Sequence, residues 1–152
     1  MNPPRLQIVR RFRVGPARVY AACSDPALLS RWYGPKDWTV TAFEADVVVG
    51  GTFRFTMVGP PGQMSAEGSY EIVEPPHRLV HTWRWSEGPP EYPPEDRISR
   101  VTYLIEAEGD GTRLTFTHEG LEDQESADSH EEGWSEALDK LERLLTDEET
   151  QS

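Results

Sequence analysis

Histidines and aromatic rings are the side chains of this chain whose types and spacing could do chemistry. His118 falls in register with Leu114 and Phe116 along a strand-like run, and His130 stands one helical turn before Trp134. Imidazole titrates near neutral pH, so two of them inside one cup could serve as a general acid and base, or could orient a ligand's polar end. The simpler reading of each is a hydrogen-bonded structural histidine at the end of an element. His81, in register with Trp83, is a third candidate. Rings recur around them. Phe53 and Phe55 share one strand face, Trp83 and Trp85 share another, and Trp134 faces inward from a helix. Trp32, Tyr70, Tyr103 and Phe116 extend the same lining. Singly, each ring reads most simply as core. Collectively they exceed what a thin layer needs, and apolar ligand cavities are lined this way.

Other chemistries lack their residues. No Gly-rich loop is followed by Lys and Ser/Thr, and there is no Gly-x-Ser-x-Gly elbow. No two histidines have helical zinc spacing, and the lone Cys23 cannot build a thiolate site or an internal disulfide. Arg54 and Arg84 fall on the strand faces opposite the aromatics, which makes solvent their default. Asp46 precedes a glycine turn, where carboxylates often bond local amides, and Glu67 is a candidate for a polar patch in the cup. The residues demand no enzyme, so no catalytic group, cofactor or metal is assigned.

The elements that must position these side chains can be read in order. Leu6 to Arg13 reads as a strand whose alternation is interrupted by Arg10. Two short helices follow. Ala17 to Cys23 makes the first, and Asp25 caps the second ahead of Pro26; that helix runs through Leu28, Leu29 and Trp32 and stops at Gly34-Pro35. From Trp38 the pattern is β throughout: six runs, 38–46, 52–58, 64–73, 78–85, 98–106 and 113–118, joined by glycine- and proline-rich turns. Ser86 to Arg97 holds Pro89, Pro90, Pro93 and Pro94, and is either a plain hairpin tip or a flap over a cavity mouth. A long amphipathic helix from about Ala127 to Leu145 ends the plan, with Trp134, Leu138 and Leu141 on its apolar stripe. The expected fold is α+β, seven antiparallel strands curving around that helix.

At 152 residues one domain over 1–146 is expected, with 147–152 as a frayed acidic tail. No apolar run approaches the roughly 20 residues of a membrane span. The N-terminus lacks a signal-peptide core, so the cytoplasm is the expected compartment. The net charge of −12 is unevenly placed. Residues 1–118 carry 13 basic and 14 acidic side chains, whereas 119–152 carry two basic and 13 acidic ones. Phosphate binding wants a basic face, which excludes nucleic acid as the expected partner. The acidic segment reads as a solvated helix face, or more sharply as a docking surface for a basic partner.

That order of elements, with Arg31-Trp32-Tyr33-Gly34-Pro35, Gly50-Gly51, Pro75-Pro76-His77-Arg78-Leu79, Thr82-Trp83, His118-Glu119-Gly120 and Gly133-Trp134, resembles the START/SRPBCC superfamily. Within it the chain is similar to the family named for the activator of heat-shock protein 90 ATPase, from about Arg10 to Leu145. Two features depart from that pattern: Val14-Gly15 replaces Ala-Pro, and Val47-Val48-Val49 stands where an Arg is usual. The resemblance implies a helix-grip fold with a cavity between the sheet and the last helix. It carries no particular reaction, because the superfamily spans lipid carriers, cyclases, hormone receptors and co-chaperone domains. The leading expectation is a small apolar or amphipathic ligand held in that cavity. A chaperone-activator-like surface module comes second, and an enzyme resembling polyketide cyclases, with His118 or His130 carrying protons, comes third.

Overall fold

The computed structural model describes residues 4–151, with side chains described over 4–146. The first strand, β1 (Arg5–Phe12), is followed by α1 (Pro16–Ser24) and α2 (Pro26–Trp32). Six strands come next: β2 (Thr39–Ala45), β3 (Thr52–Gly59), β4 (Gly62–Glu74), β5 (Arg78–Glu87), β6 (Ser99–Glu108) and β7 (Gly111–Glu119). The long helix is α3 (Gln124–Gln151), which continues past the expected end near Leu145. The expected frayed tail concerns side chains that lie outside the described residues.

All seven strands form one antiparallel sheet in the order β1-β7-β6-β5-β4-β3-β2. From β2 to β7 it is a meander. β1 and β2 stand at opposite edges, so α1 and α2 carry the chain from one edge of the sheet to the other. Asp25 begins α2 as its sequence implies: its carboxylate accepts the Ala27 N–H at 3.0 Å, with Pro26 in the first turn. Gly34 then turns the chain with φ of 90°, a conformation side chains other than glycine rarely adopt. Gly51 is needed for space, since a Cβ there would fall 2.0 Å from the Asp46 carbonyl oxygen. Asp46 serves this turn through its backbone, its N–H donating to Thr52 O at 2.9 Å, rather than through its carboxylate.

The core lies between the concave face of the sheet and the buried stripe of α3, where Trp134, Ala137, Leu138 and Leu141 meet Phe116, Leu114 and Tyr103 of the sheet. Arg10, the interruption in the apolar pattern of β1, has a positive use. Its guanidinium donates to Asp139 Oδ1 at 2.7 Å and to the Ser135 carbonyl at 3.1 Å, tying α3 to the sheet edge. Glu67 does not join a polar patch in the cup; it pairs with Arg84 at 2.9 Å across β4 and β5, both partly exposed.

Candidate functional site

An open cleft of about 640 Å³ lies between β3, β5, the turn after α2, the 88–98 segment and the first turns of α3. Its apolar surfaces come from Tyr33, Phe55, Met57, Trp83, Trp85 and Trp134. These rings hold each other edge-on. Tyr33 stands 5.2 Å from Phe55 and 5.4 Å from Trp134, and Trp83 stands 5.3 Å from Trp85 and 5.2 Å from Trp134, between ring centres. Period-2 alternation explains the strand contribution, because Phe53, Phe55 and Met57 all turn their side chains to the buried face of β3.

The expected site residues divide into two layers. Phe55, Trp83, Trp85, His130 and Trp134 line the cleft. Trp32, Phe53, Tyr70, Tyr103, Phe116 and His118 are buried in the core and do not reach it. Trp32 explains its own burial: its indole N–H donates to the Ala22 carbonyl at 2.8 Å, pinning α2 to α1. Tyr33, unassigned in the sequence reading, is the residue that joins the layers. It touches the rings of Trp32, Phe43, Phe55, Trp83 and Trp134, and its hydroxyl is hydrogen-bonded to that of Tyr103. Burial raises the pKa of both phenols well above the usual value.

The histidines are defined by tryptophans. An indole N–H can only donate. Trp134 Nε1 donates to His118 Nδ1 at 3.1 Å, so that nitrogen carries no proton and the neutral ring holds its hydrogen on Nε2. Nε2 lies 2.6 Å from Ser99 Oγ and donates to it, leaving the Ser99 hydroxyl to donate to the Trp83 carbonyl at 3.3 Å. His130 repeats the device in the opposite tautomer. Trp85 Nε1 donates to Nε2 at 3.1 Å, and Nδ1–H donates to the Ser126 carbonyl at 2.7 Å, as the geometry of one helical turn allows. The two rings meet edge-on at 5.2 Å.

Protonating either ring would set two N–H groups against each other. Burial is the main cause holding the His118 pKa well below the imidazole value, and His130 and His81 nearby lower it further. Burial also lowers the pKa of His130, against the opposing pull of the Ser126 carbonyl and Glu95. His81, at the core side of Trp83, is lowered to about 4 by burial, with Nδ1 donating to its neighbour's carbonyl, Thr82 O, at 2.9 Å. All three are neutral at pH 7.

Two buried polar side-chain atoms find no protein partner among the described residues: Trp83 Nε1 and Ser86 Oγ. A buried donor without a partner costs about 1–3 kcal/mol. Trp83 therefore brings an unspent hydrogen bond to a ring that lines the cleft.

One wall is the proline-rich 88–98 segment. It has no regular structure, yet it is held in place: the Tyr92 N–H donates to Pro89 O at 2.8 Å, the Glu95 N–H to Trp85 O at 3.0 Å, and Arg84 to Glu95 O at 3.3 Å. Glu91, Tyr92, Pro93 and Glu95 face the cleft from it. Part of the acidic C-terminal segment, expected to be a solvated face or a docking surface for a basic partner, forms a rim to the cleft through Glu122, Asp123, Glu125, Glu132 and Glu136. The uneven charge was the available signal, but a count along the chain does not tell which acids face a cleft. No group of His, Cys, Asp and Glu among the described residues is arranged to hold a metal ion, and no described helix is long and apolar enough to cross a membrane.

Comparison with known proteins agrees with this architecture. The family model described as "Activator of Hsp90 ATPase homolog 1-like protein" matches residues 13–146. No curated protein matches. Among solved structures, the AHSA1 protein of Silicibacter pomeroyi is 32% identical with a TM-score of 0.81, covering 95% of this chain and 99% of its own. A protein of Arthrobacter aurescens is 28% identical with a TM-score of 0.80, covering 94% of this chain and 86% of its own. A protein of Chromobacterium violaceum, 24% identical with a TM-score of 0.83 over 94% of this chain and 98% of its own, shares the fold. The strand order, the two helices between β1 and β2, the gripped α3 and a sequence match spanning nearly all of them make this chain a member of the Activator of Hsp90 ATPase homolog 1-like family.

Proposed function

We propose that the protein binds a small apolar or amphipathic molecule in the cleft between its sheet and α3, and carries, senses or shields it. The observation that supports this is the set of rings, Tyr33, Phe55, Trp83, Trp85 and Trp134, packed edge-on along the wall of a space of about 640 Å³. That falls within the size range of small-molecule sites, whose linings are mostly apolar with a few placed polar groups.

Binding without turnover is the part of this reading that the histidines support. A general base needs a free nitrogen beside the reacting proton. In His118 and His130 each ring nitrogen already has a partner, and the depressed pKa of each makes it a poor proton acceptor. The test is native mass spectrometry of purified protein, followed by identification of what is released on denaturation. A stoichiometric small molecule, recovered unchanged after incubation, is the expected result. Conversion of that molecule by wild type, lost in His130→Ala with affinity retained, would make the protein an enzyme instead. A chaperone-activator-like role predicts no small molecule and a protein partner whose binding survives when the cleft is blocked.

A further inference from the structure

We infer that Trp85 and His130 form a redox-active pair: a one-electron oxidant of the free-radical class takes an electron from the Trp85 indole while its Nε1 proton crosses to His130 Nε2. The products are a neutral Trp85 radical, an imidazolium at His130 and the reduced oxidant; a peroxyl radical, for example, leaves as the peroxide anion. A reductant of the ascorbate class returns the electron, and the proton goes back to Trp85. None of this requires a ligand in the cleft.

Loss of an electron turns an indole N–H into an acid, so a tryptophan gives up an electron most readily where an acceptor already faces that hydrogen. Trp85 Nε1 stands 3.1 Å from His130 Nε2, and its ring is half-buried and lines the cleft, within reach of a diffusing oxidant. Protonating His130 while Trp85 keeps its hydrogen would oppose two N–H groups. When the proton comes from Trp85 itself, donor and acceptor only exchange roles and the bond survives. The imidazolium is then held by the Ser126 carbonyl, which Nδ1–H reaches at 2.7 Å, and by the Glu95 carboxylate; both favour the charged ring against its burial. His118, the titratable ring that meets it edge-on at 5.2 Å, is neutral and adds no repelling charge.

The neighbouring rings have no such exit. Trp134 also donates to an imidazole, but His118 is fully buried, and His130 and His81 both oppose a charge on it. Trp83 Nε1 has no partner among the described residues. The Tyr33 and Tyr103 hydroxyls are bonded to each other, and burial resists ionisation of both. Electrons nevertheless pass between rings in contact, and Trp83 lies 5.3 Å from Trp85 and 5.2 Å from Trp134, with Tyr33 5.4 Å from Trp134. An electron vacancy formed on an inner ring therefore moves outward and settles on Trp85, where its proton has an acceptor and a soluble reductant can reach it. The pair drains oxidising equivalents from the ring-lined core.

Flash oxidation with a ruthenium(III) polypyridyl complex, followed by transient absorption and freeze-quench EPR, tests this on the intact protein. Wild type should give the neutral tryptophanyl spectrum, formed with a solvent deuterium isotope effect. Folded His130→Phe, which removes the acceptor, should give the cation-radical spectrum instead. Folded Trp85→Phe should lose most of the neutral radical although Trp83 and Trp134 remain. A neutral radical formed as fast in His130→Phe, or undiminished in Trp85→Phe, overturns the pair. Peptide mapping of wild type after sustained exposure to peroxyl radicals needs no variant. Oxygenated products should concentrate several-fold at Trp85 over Trp38, a half-buried tryptophan that also lines the cleft, and ascorbate should suppress them. Equal or greater damage at Trp38 overturns the inference as well.

Discussion

At the scale of single residues, the tryptophan–histidine bonds set what the site can do with protons. Two indoles from different elements donate to the one nitrogen on each imidazole that must stay bare, so each ring is neutral by construction as well as by burial. Trp85→Phe keeps an aromatic ring, smaller than the indole, and deletes the donor. The His130 pKa should then rise toward the ordinary imidazole value, read by NMR titration of its ring protons; an unchanged pKa would mean that burial alone sets it. The sign of the stability effect follows from the same depression. Unfolded histidines accept a proton at about pH 6.5, whereas folded His81 resists until about pH 4 and His118 and His130 are likewise lowered. The unfolded state binds the extra protons in that window. Their contribution is thus complete above pH 6.5 and is lost as pH falls toward 4, at up to about 1.4 kcal/mol per histidine per pH unit. Urea melts at pH 7 and pH 5 should show a loss of several kcal/mol, and equal stability would contradict the neutral assignment.

At the scale of elements, α3 is both the lid of the core and a wall of the cleft, and Trp134 does both tasks. Its ring packs 4.5 Å from Phe116 and 5.2 Å from Trp83, and its N–H supplies His118. Trp134→Ala should cost about 3–5 kcal/mol, the range for deleting a large buried ring; a loss below about 1 kcal/mol in urea melts would show that the helix does not depend on it. Much of this was legible beforehand. Strict alternation along β7 aims His118 with Leu114 and Phe116 toward α3, and the helical period aims Trp134 back at them. The depth of each ring was not legible, because a period of two assigns a face of the sheet and carries no distance from its rim. Phe53 and Phe55 share a face, yet only Phe55 reaches the cleft. The tryptophan–histidine pairs were hidden for another reason: Trp85 and His130 are 45 positions apart, and only the completed grip brings them together. Arg10 shows the converse, where a local break in pattern marked a long-range contact to α3.

At the scale of the whole molecule, the curved sheet grips α3, and beside the first half of that helix the 88–98 segment, the turn after α2 and the acidic rim surround a ring-lined opening. We propose this opening as the ligand site. Ser129 is exposed, lines the cleft and lies outside the core, so Ser129→Trp fills the space without disturbing the packing beneath. The direct measurement is the fluorescence titration of a neutral, polarity-sensitive naphthalene dye against wild type, Ser129→Trp and Trp85→Asp, with melting curves confirming that each is folded. Saturable binding to wild type that weakens at least about tenfold in both variants is the predicted result, since one blocks the space and the other places a costly charge in it. Equal affinity in all three folded proteins, or no saturable binding to wild type, would contradict the account.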